Sequence, residues 1–199
     1  MQRGKFTRII PIALVVIIII IAISAIVSLG QTVFRGGNTT QPNVDVGRES
    51  LLNTGVDRSV RMTVRGPIVA DENFRSYRIA VSPSSRTATT YSGYLQTTIE
   101  TKSFGNNTKA YDEFVHALDL ANAMKGTAFE GDKDDTRGIC ATGTVYEFET
   151  VQSGQAVKRL WTSTCSGSKG SLAASTSQLK NLFVGQIPEG SRLISSVDL

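Results

Sequence analysis

The chain changes its hydrophobic period several times, and each change predicts an element. Residues 9–29 form an apolar run without a charged side chain. From Ser59 to Arg65 apolar and polar residues alternate, which predicts a strand with one buried face. A second alternation over residues 77–81 and a Thr-rich stretch over residues 86–95 predict a hairpin, and residues 96–104 continue as extended chain.

Helical spacing replaces the alternation after residue 105. Asn106 or Asn107 can cap a helix that Gly126 ends, and His116 lies opposite its apolar stripe. The stripe consists of Tyr111, Phe114, Val115, Leu118, Ala121 and Met124 or Lys125. We therefore expect one amphipathic helix with the single His of the chain on its solvent face.

A second hairpin and a second helix follow. Residues 140–151 and 156–165 alternate on either side of a Ser153-Gly154 turn. Ser175 or Thr176 can cap a short helix that ends at Gly185, and residues 192–197 are typical of a last strand.

This order of elements predicts an α+β fold, with a mainly antiparallel sheet and two helices behind an N-terminal transmembrane helix. From residue 96 onward the order is strand, helix, strand, strand, helix, strand, which is the ferredoxin-like βαββαβ order. The strand from Ser59 and the hairpin that follows it would then extend that sheet.

The apolar run predicts a membrane anchor. At a rise of about 1.5 Å per residue, a helix over residues 9–29 matches the bilayer core of about 30 Å. Arg3, Lys5 and Arg8 precede the run, and the positive-inside tendency places them in the cytoplasm. A cleavable signal peptide is the alternative, but its apolar region is shorter, at about 7 to 15 residues.

The anchor divides the chain into four parts. Residues 1–8 form a basic cytoplasmic tail, residues 9–29 the transmembrane helix, and residues 30–57, rich in Gly, Asn and Thr, a flexible linker. Residues 58–199 form an extracytoplasmic domain. The protein is therefore expected in the cell membrane as a single-pass protein with its N-terminus in the cytoplasm.

The charge distribution excludes one class of partner. The net charge is +4, and the three cations ahead of the apolar run supply most of it. The rest of the chain is nearly neutral, whereas binding to nucleic acid requires many uncompensated Lys and Arg side chains. We therefore expect no nucleic acid among the partners.

The two cysteines of the chain, Cys140 and Cys165, both follow the predicted anchor. An even pair in an oxidising compartment predicts a disulfide, and the two residues lie nearly opposite each other across the second hairpin. A pair of free buried thiols is the alternative. The spacing does not fit a CxxC redox or zinc motif.

The sequence gives little support for catalysis or for a cofactor. It has no GxSxG, HExxH or Walker sequence, and its one His is expected on an exposed helix face. We therefore expect no catalytic residue, cofactor or metal site. The acidic loop of residues 130–135 could bind calcium, but it departs from the EF-hand pattern and a solvated loop is the alternative.

Three residues are candidates for an interaction surface. Arg61 and Arg65 belong to an Arg-rich stretch that could contact anionic lipid or envelope polymer, although nearby acids reduce its charge. Trp161 could anchor a partner, with packing in the core beside the disulfide as its alternative.

Two resemblances support an envelope location. The stretch from Gly66 to Asp71, GPIVAD, through Tyr94, together with Cys140, Trp161 and Cys165, resembles uncharacterised anchored envelope proteins of ultrasmall, Saccharibacteria-type bacteria. The tail, span and ferredoxin-like domain are similar to the inner-membrane alignment proteins of type IV pilus and type II secretion systems. Those proteins carry a coiled coil where this chain has a Gly-rich linker.

These observations predict a membrane-tethered extracytoplasmic domain that binds an envelope protein or takes part in envelope assembly without catalysis. A small envelope enzyme or ligand-binding module is the first alternative. An atypical pilin-like subunit is the second, because Gly4-Lys5-Phe6-Thr7 precedes an apolar helix, although Ile9 stands where pilins usually carry Glu.

Overall fold

The structure, a computed structural model, describes residues 45–195 of the 199. The predicted tail, the predicted span over residues 9–29 and Arg3, Lys5 and Arg8 lie outside the described residues. Within residues 45–195, no helix is long and apolar enough to cross a membrane.

The described residues form an α+β fold with six strands and four α-helices. In chain order, the elements are α1 Val46–Leu52, β1 Arg58–Arg65, β2 Arg75–Val81, β3 Ser85–Ser92, β4 Thr97–Gly105, α2 Thr108–Leu120, β5 Val145–Gln152, β6 Gln155–Ser163, α3 Thr176–Val184 and α4 Gly190–Ser195.

The strands form one antiparallel sheet in the order β4-β3-β2-β1-β5-β6. Strands β1 to β4 form a meander, and the β5–β6 hairpin adds to the free side of β1. The predicted strands over residues 59–104 and both hairpins are confirmed, and the chain turns between β3 and β4 at Gly93, where φ is +71°.

The ferredoxin-like order is wrong. In that order the strand over residues 96–104 would lie beside the second hairpin, but β4 forms the edge of the sheet that is farthest from β5 and β6. The predicted last strand is also wrong over residues 192–195, which belong to helix α4. Leu193 is 3% exposed and packs in the main core. Helix α4, which follows Pro188 and Glu189, places its side chain there. Residues 196–199 lie outside the described part of the chain.

The helices cover one face of the sheet. Phe183 of α3 lies between Phe114 of α2, at 5.3 Å between ring centroids, and Phe148 of β5, at 6.0 Å. Met62 and Ile79, which pair across β1 and β2, are fully buried beneath them. This layer of rings and aliphatic side chains is the hydrophobic core of the domain.

Helix α1 lies within the range predicted as a flexible linker. Asp45 caps it by accepting hydrogen bonds from the amides of Gly47 and Arg48. Leu51 is fully buried in the main core, and Arg48 forms a bidentate ion pair with Asp119 of α2, with N···O distances of 2.8 and 2.9 Å. The folded domain therefore begins at about Asp45, and residue 58 as its start is a correction to the sequence analysis.

Candidate functional site

The sheet face opposite the helices carries charged side chains. Neighbouring residues of a strand point to opposite faces. Val60, Met62 and Val64 of β1 point into the core, so Arg61 and Arg65 lie on the opposite face. Glu147, Glu149, Arg159 and Trp161 of the β5–β6 hairpin share this second face through their register with β1. The structure thus brings the three predicted interaction residues to one face.

Ion pairs occupy both of the arginines predicted for interaction. Arg61 Nε lies 2.6 Å from Glu149, and Arg65 Nη2 lies 2.7 Å from Glu147. Arg159 also pairs with Glu147, at 3.0 Å. The three guanidinium groups therefore hold the sheet together, and their contacts with a lipid or polymer stay a prediction.

The pKa of Glu147 reflects this pairing. Burial alone would raise the pKa of its carboxyl group. The charges of Arg65 and Arg159, with hydrogen bonds from Thr136 and Arg159, outweigh burial and hold the pKa below its usual value. Glu147 is therefore an ionised anchor between two cations at neutral pH.

The loop before β5 lies over this face. Thr136 donates to Glu147 at 2.9 Å and also contacts Arg65. Asp134 accepts a 2.8 Å hydrogen bond from Arg159. The loop is thereby fixed to the charged strands.

Two of the four carboxylates in the acidic loop over residues 130–135 pair with arginines. Asp134 pairs with Arg159, and Asp135 pairs with Arg137, whose hydrogen bonds lower the pKa of Asp135 to about 2. Within the described residues no cluster of three His, Cys, Asp or Glu side chains could hold a metal ion. Calcium binding therefore has no geometric support here.

Trp161 is buried under two loops. Its side chain is 2% exposed, and the ring of Phe129 meets it edge-on at 5.9 Å. Gly170, with φ of +73°, passes so close that a Cβ atom there would overlap the Trp161 carbonyl oxygen. Trp161 therefore packs inside the domain, which was the alternative to a surface anchor.

Cys140 and Cys165 form a disulfide, as the sequence predicts. The bond joins the loop before β5 to the end of β6, with the Cα atoms 5.5 Å apart. Next to it, the Ile68 amide donates to the Ala141 carbonyl at 2.8 Å. The disulfide therefore also fixes the loop that follows β1.

A cavity of about 300 Å³, here called the end pocket, lies between these two loops. Its lining is mostly apolar, and Arg65, Thr136 and Arg137 supply its polar side chains. The apolar lining comes from Ile68, Phe74, Tyr94, Ile139, Cys140 and Val145. The loops that connect β1 to β2 and lead into β5 thus form the two walls.

The rim of the end pocket exposes apolar side chains. Ile68 and Tyr94, which line the pocket, are each 47% exposed, and their chain neighbours Val69 and Leu95 are 41% and 93% exposed. The Tyr94 ring stacks on Phe74, with the ring centroids 4.1 Å apart. A cluster of exposed apolar groups around a concave surface is typical of a binding site.

Sequence reasoning missed the end pocket, although two signals pointed to it. The stretch from Gly66 to Asp71, on which the resemblance to envelope proteins rests, contributes to one wall. Tyr94 and Cys140, which belong to the same resemblance, are also lining residues. Their proximity depends on the β1–β5 pairing, which hydrophobic alternation does not reveal. The remaining chemical candidate, His116, lies on the exposed side of α2 as predicted, with its Nδ1 2.8 Å from the Asp112 carbonyl oxygen.

No protein-family model matches the chain, and no curated protein matches it significantly.

Proposed function

We propose that the protein is a membrane-tethered, extracytoplasmic domain that binds an envelope protein partner without catalysis, and that the partner places an apolar side chain in the end pocket. The observation that supports this is the concave apolar pocket with an exposed apolar rim. The membrane tether rests on the sequence of residues 9–29.

The size of the pocket favours a side chain as its occupant. Ligand cavities span about 300 to 1,000 Å³, so this one lies at the lower end. Its walls are fixed by the disulfide, the Ile68–Ala141 hydrogen bond and the contacts of Tyr94. A rigid small pocket binds a protruding Leu, Met or Phe side chain with little loss of conformational entropy.

The polar groups at the pocket favour binding over catalysis. Arg65 and Thr136 are both engaged by Glu147, and Arg137 is engaged by Asp135. A catalytic acid or base needs a proton-transfer atom directed at the substrate. The arrangement instead stabilises the loops that shape the pocket.

Site-specific photo-crosslinking of the full chain in the membranes of the cells that produce it tests this proposal. A photoreactive residue in place of Ile68, on the rim, should give a discrete protein adduct. The same residue in place of Val157 is the matched control, because Val157 is 38% exposed and lies near the opposite end of the sheet.

A third chain combines the photoreactive residue at position 68 with Ile139→Phe, which adds volume to the pocket wall. Loss of the adduct, with the melting temperature unchanged, would support insertion into the pocket. Equal adducts from positions 68 and 157, or an adduct that survives Ile139→Phe, would contradict it.

A small apolar ligand is the second candidate, because it would occupy the same cavity. This version places the ligand at the end of the sheet, in the end pocket. A panel of small apolar compounds that raises the melting temperature of the full chain, but not of the Ile139→Phe variant, would favour it over a protein partner.

A further inference from the structure

The two edges of the sheet differ in how they are covered. Beside β6, the Trp161 carbonyl accepts hydrogen bonds from the amides of Ser171 and Leu172, so a following segment covers that edge. β4 forms the other edge and pairs with β3 alone. Within the described residues nothing pairs with its outer side, and seven of its nine residues are exposed.

The outward backbone groups of β4 can be assigned from one hydrogen bond. The Asn106 amide donates to the Ser84 carbonyl at 3.0 Å, continuing the register in which Ser85 opposes Gly105. In an antiparallel ladder hydrogen-bonded and non-hydrogen-bonded pairs alternate. Even-numbered residues of β4 therefore bond to β3, and Thr101 and Ser103 direct their N–H and C=O groups outward.

Charges on β4 are self-complementary about Thr101. Glu100 and Lys102 lie two residues apart, hence on one face, with their charged atoms 3.7 Å apart. If a second β4 pairs antiparallel with Thr101 opposite itself, each Glu100 stands opposite the partner's Lys102. Those positions are non-hydrogen-bonded pairs, in which side chains approach most closely.

We propose that two copies of this chain associate through β4, antiparallel and centred on Thr101, to form a continuous twelve-stranded sheet from two six-stranded ones. The occupant of the edge is a second copy because the charge pattern matches itself. This inference goes beyond the proposed function and does not require the end pocket.

Other features of β4 restrict pairing to this register. The β3–β4 register shifts between Thr90 and Tyr91, which disturbs the ladder near Ile99. At the other end the Gly105 carbonyl already accepts from the Arg86 guanidinium, at 2.9 Å. A lysine on an edge strand also discourages pairing with a strand that lacks an opposing acid. Regular pairing is therefore confined to a few residues around Thr101.

So short a contact is weak in dilute solution, since standard interfaces bury about 1,600 Å². The proposed membrane anchor would raise the local concentration and strengthen the pairing without a new contact. Covalent trapping is therefore a better test than dilution.

The test uses the full chain in membranes, with Thr101→Cys and a mild oxidant. Both native cysteines are in the disulfide, so the new thiol has no competitor among them. In the proposed pair the two Thr101 Cα atoms are about 5.5 Å apart, which suits a disulfide. We expect a covalent dimer on a non-reducing gel.

Thr97→Cys is the matched control, because Thr97 is another exposed threonine of the same strand. In the proposed register two copies of residue 97 would lie about 26 Å apart along the strands, too far to bond. Equal crosslinking at positions 97 and 101 would indicate random collision and overturn the proposal.

Charge reversal tests the register. Glu100→Lys in the Thr101→Cys chain places like charges opposite each other, and we expect crosslinking to slow about tenfold. Adding Lys102→Glu restores opposite charges and should return the rate to within about twofold of the parent. The proposed register would be overturned if Glu100→Lys left the crosslinking rate unchanged. It would also be overturned if the double reversal did not restore the rate of the parent.

Should a charge variant fail to fold, a mixture of Ile99→Cys chains and Ser103→Cys chains supplies a test without charge changes. These positions oppose each other across the proposed interface. Heterodimers are expected in clear excess over the random proportion of two heterodimers to one of each homodimer, and the random proportion would overturn the proposal. Failure of these tests leaves the Ile68 photo-crosslink intact, so the two proposals can fail separately.

Discussion

The Tyr94 hydroxyl group bonds to both backbone groups of Val69. It donates to the Val69 carbonyl at 2.7 Å and accepts from the Val69 amide at 3.1 Å. Asp71, two residues later, accepts from the Tyr94 amide at 2.8 Å. These bonds link the β3–β4 turn to the β1–β2 loop, so one side chain fixes a wall of the end pocket.

Tyr94→Phe should loosen that wall without removing it. The ring keeps its stacking on Phe74, but both hydrogen bonds to Val69 are lost, at a net cost of about 0.5 to 1.5 kcal/mol each. We expect the Val69 amide to exchange hydrogen faster while the core amides are unchanged, as measured by hydrogen–deuterium exchange. Tyr91→Phe is the control. Unchanged exchange at Val69 would mean that the bond does not hold this loop.

Reduction of the Cys140–Cys165 disulfide should destabilise the domain. Closing this loop, with a sequence separation of 25, is worth about 3 kcal/mol in the chain-entropy model. For a domain of this size the melting temperature should fall by about 6 to 12 °C in reductant. The double variant Cys140→Ser/Cys165→Ser should melt at the lower temperature with or without reductant. If the reductant lowers the melting temperature of both proteins equally, the effect does not come from this disulfide.

Local signals in the sequence predicted local structure well. Asn107 and Ser175 cap α2 and α3, with their side chains accepting from the amides of Ala110 and Gln178. Ser153 and Gly154 both adopt positive φ in the β5–β6 turn, as a tight hairpin requires. These features depend on a few neighbouring residues, so sequence alone specifies them.

Nonlocal pairing was not predictable in the same way. Alternation shows that β1 and β5 are strands, but it does not say that they are neighbours, which is why the ferredoxin-like arrangement was wrong. The end pocket depends on that pairing. Helix α4 was mistaken for a strand because short apolar segments fit both periods, and only burial of Leu193 in the core distinguishes them.

Leu51→Ala tests whether α1 belongs to the folded domain. Leu51 is fully buried in the main core, so the substitution should lower the free energy of unfolding by about 2 to 5 kcal/mol. Val56→Ala, at a position 95% exposed, should change it by less than about 0.5 kcal/mol. Urea denaturation measures both. If both substitutions changed the free energy of unfolding by the same small amount, residues 46–52 would belong to the linker and not to the folded domain.

Glu147 should make the domain sensitive to acid. Because its pKa in the folded state lies below the usual 4.5, the folded state favours the ionised form. That stabilisation is complete above pH 4.5 and is lost as the pH falls through the lowered pKa. Unfolding free energies, measured in urea at pH values from about 7 to about 3, should therefore fall toward acid.

Glu147→Gln removes this titration and leaves Arg65 and Arg159 without their shared anion. Loss of one partner in a buried ion pair costs about 3 to 5 kcal/mol, and the partial exposure of these arginines reduces the expected loss at neutral pH to about 2 to 3 kcal/mol. The variant should also lose less stability than the parent on acidification. Glu130→Gln, at an exposed position of the loop before β5, is the control and should follow the parent. Parallel pH curves for the parent and Glu147→Gln would assign the acid sensitivity to other carboxylates.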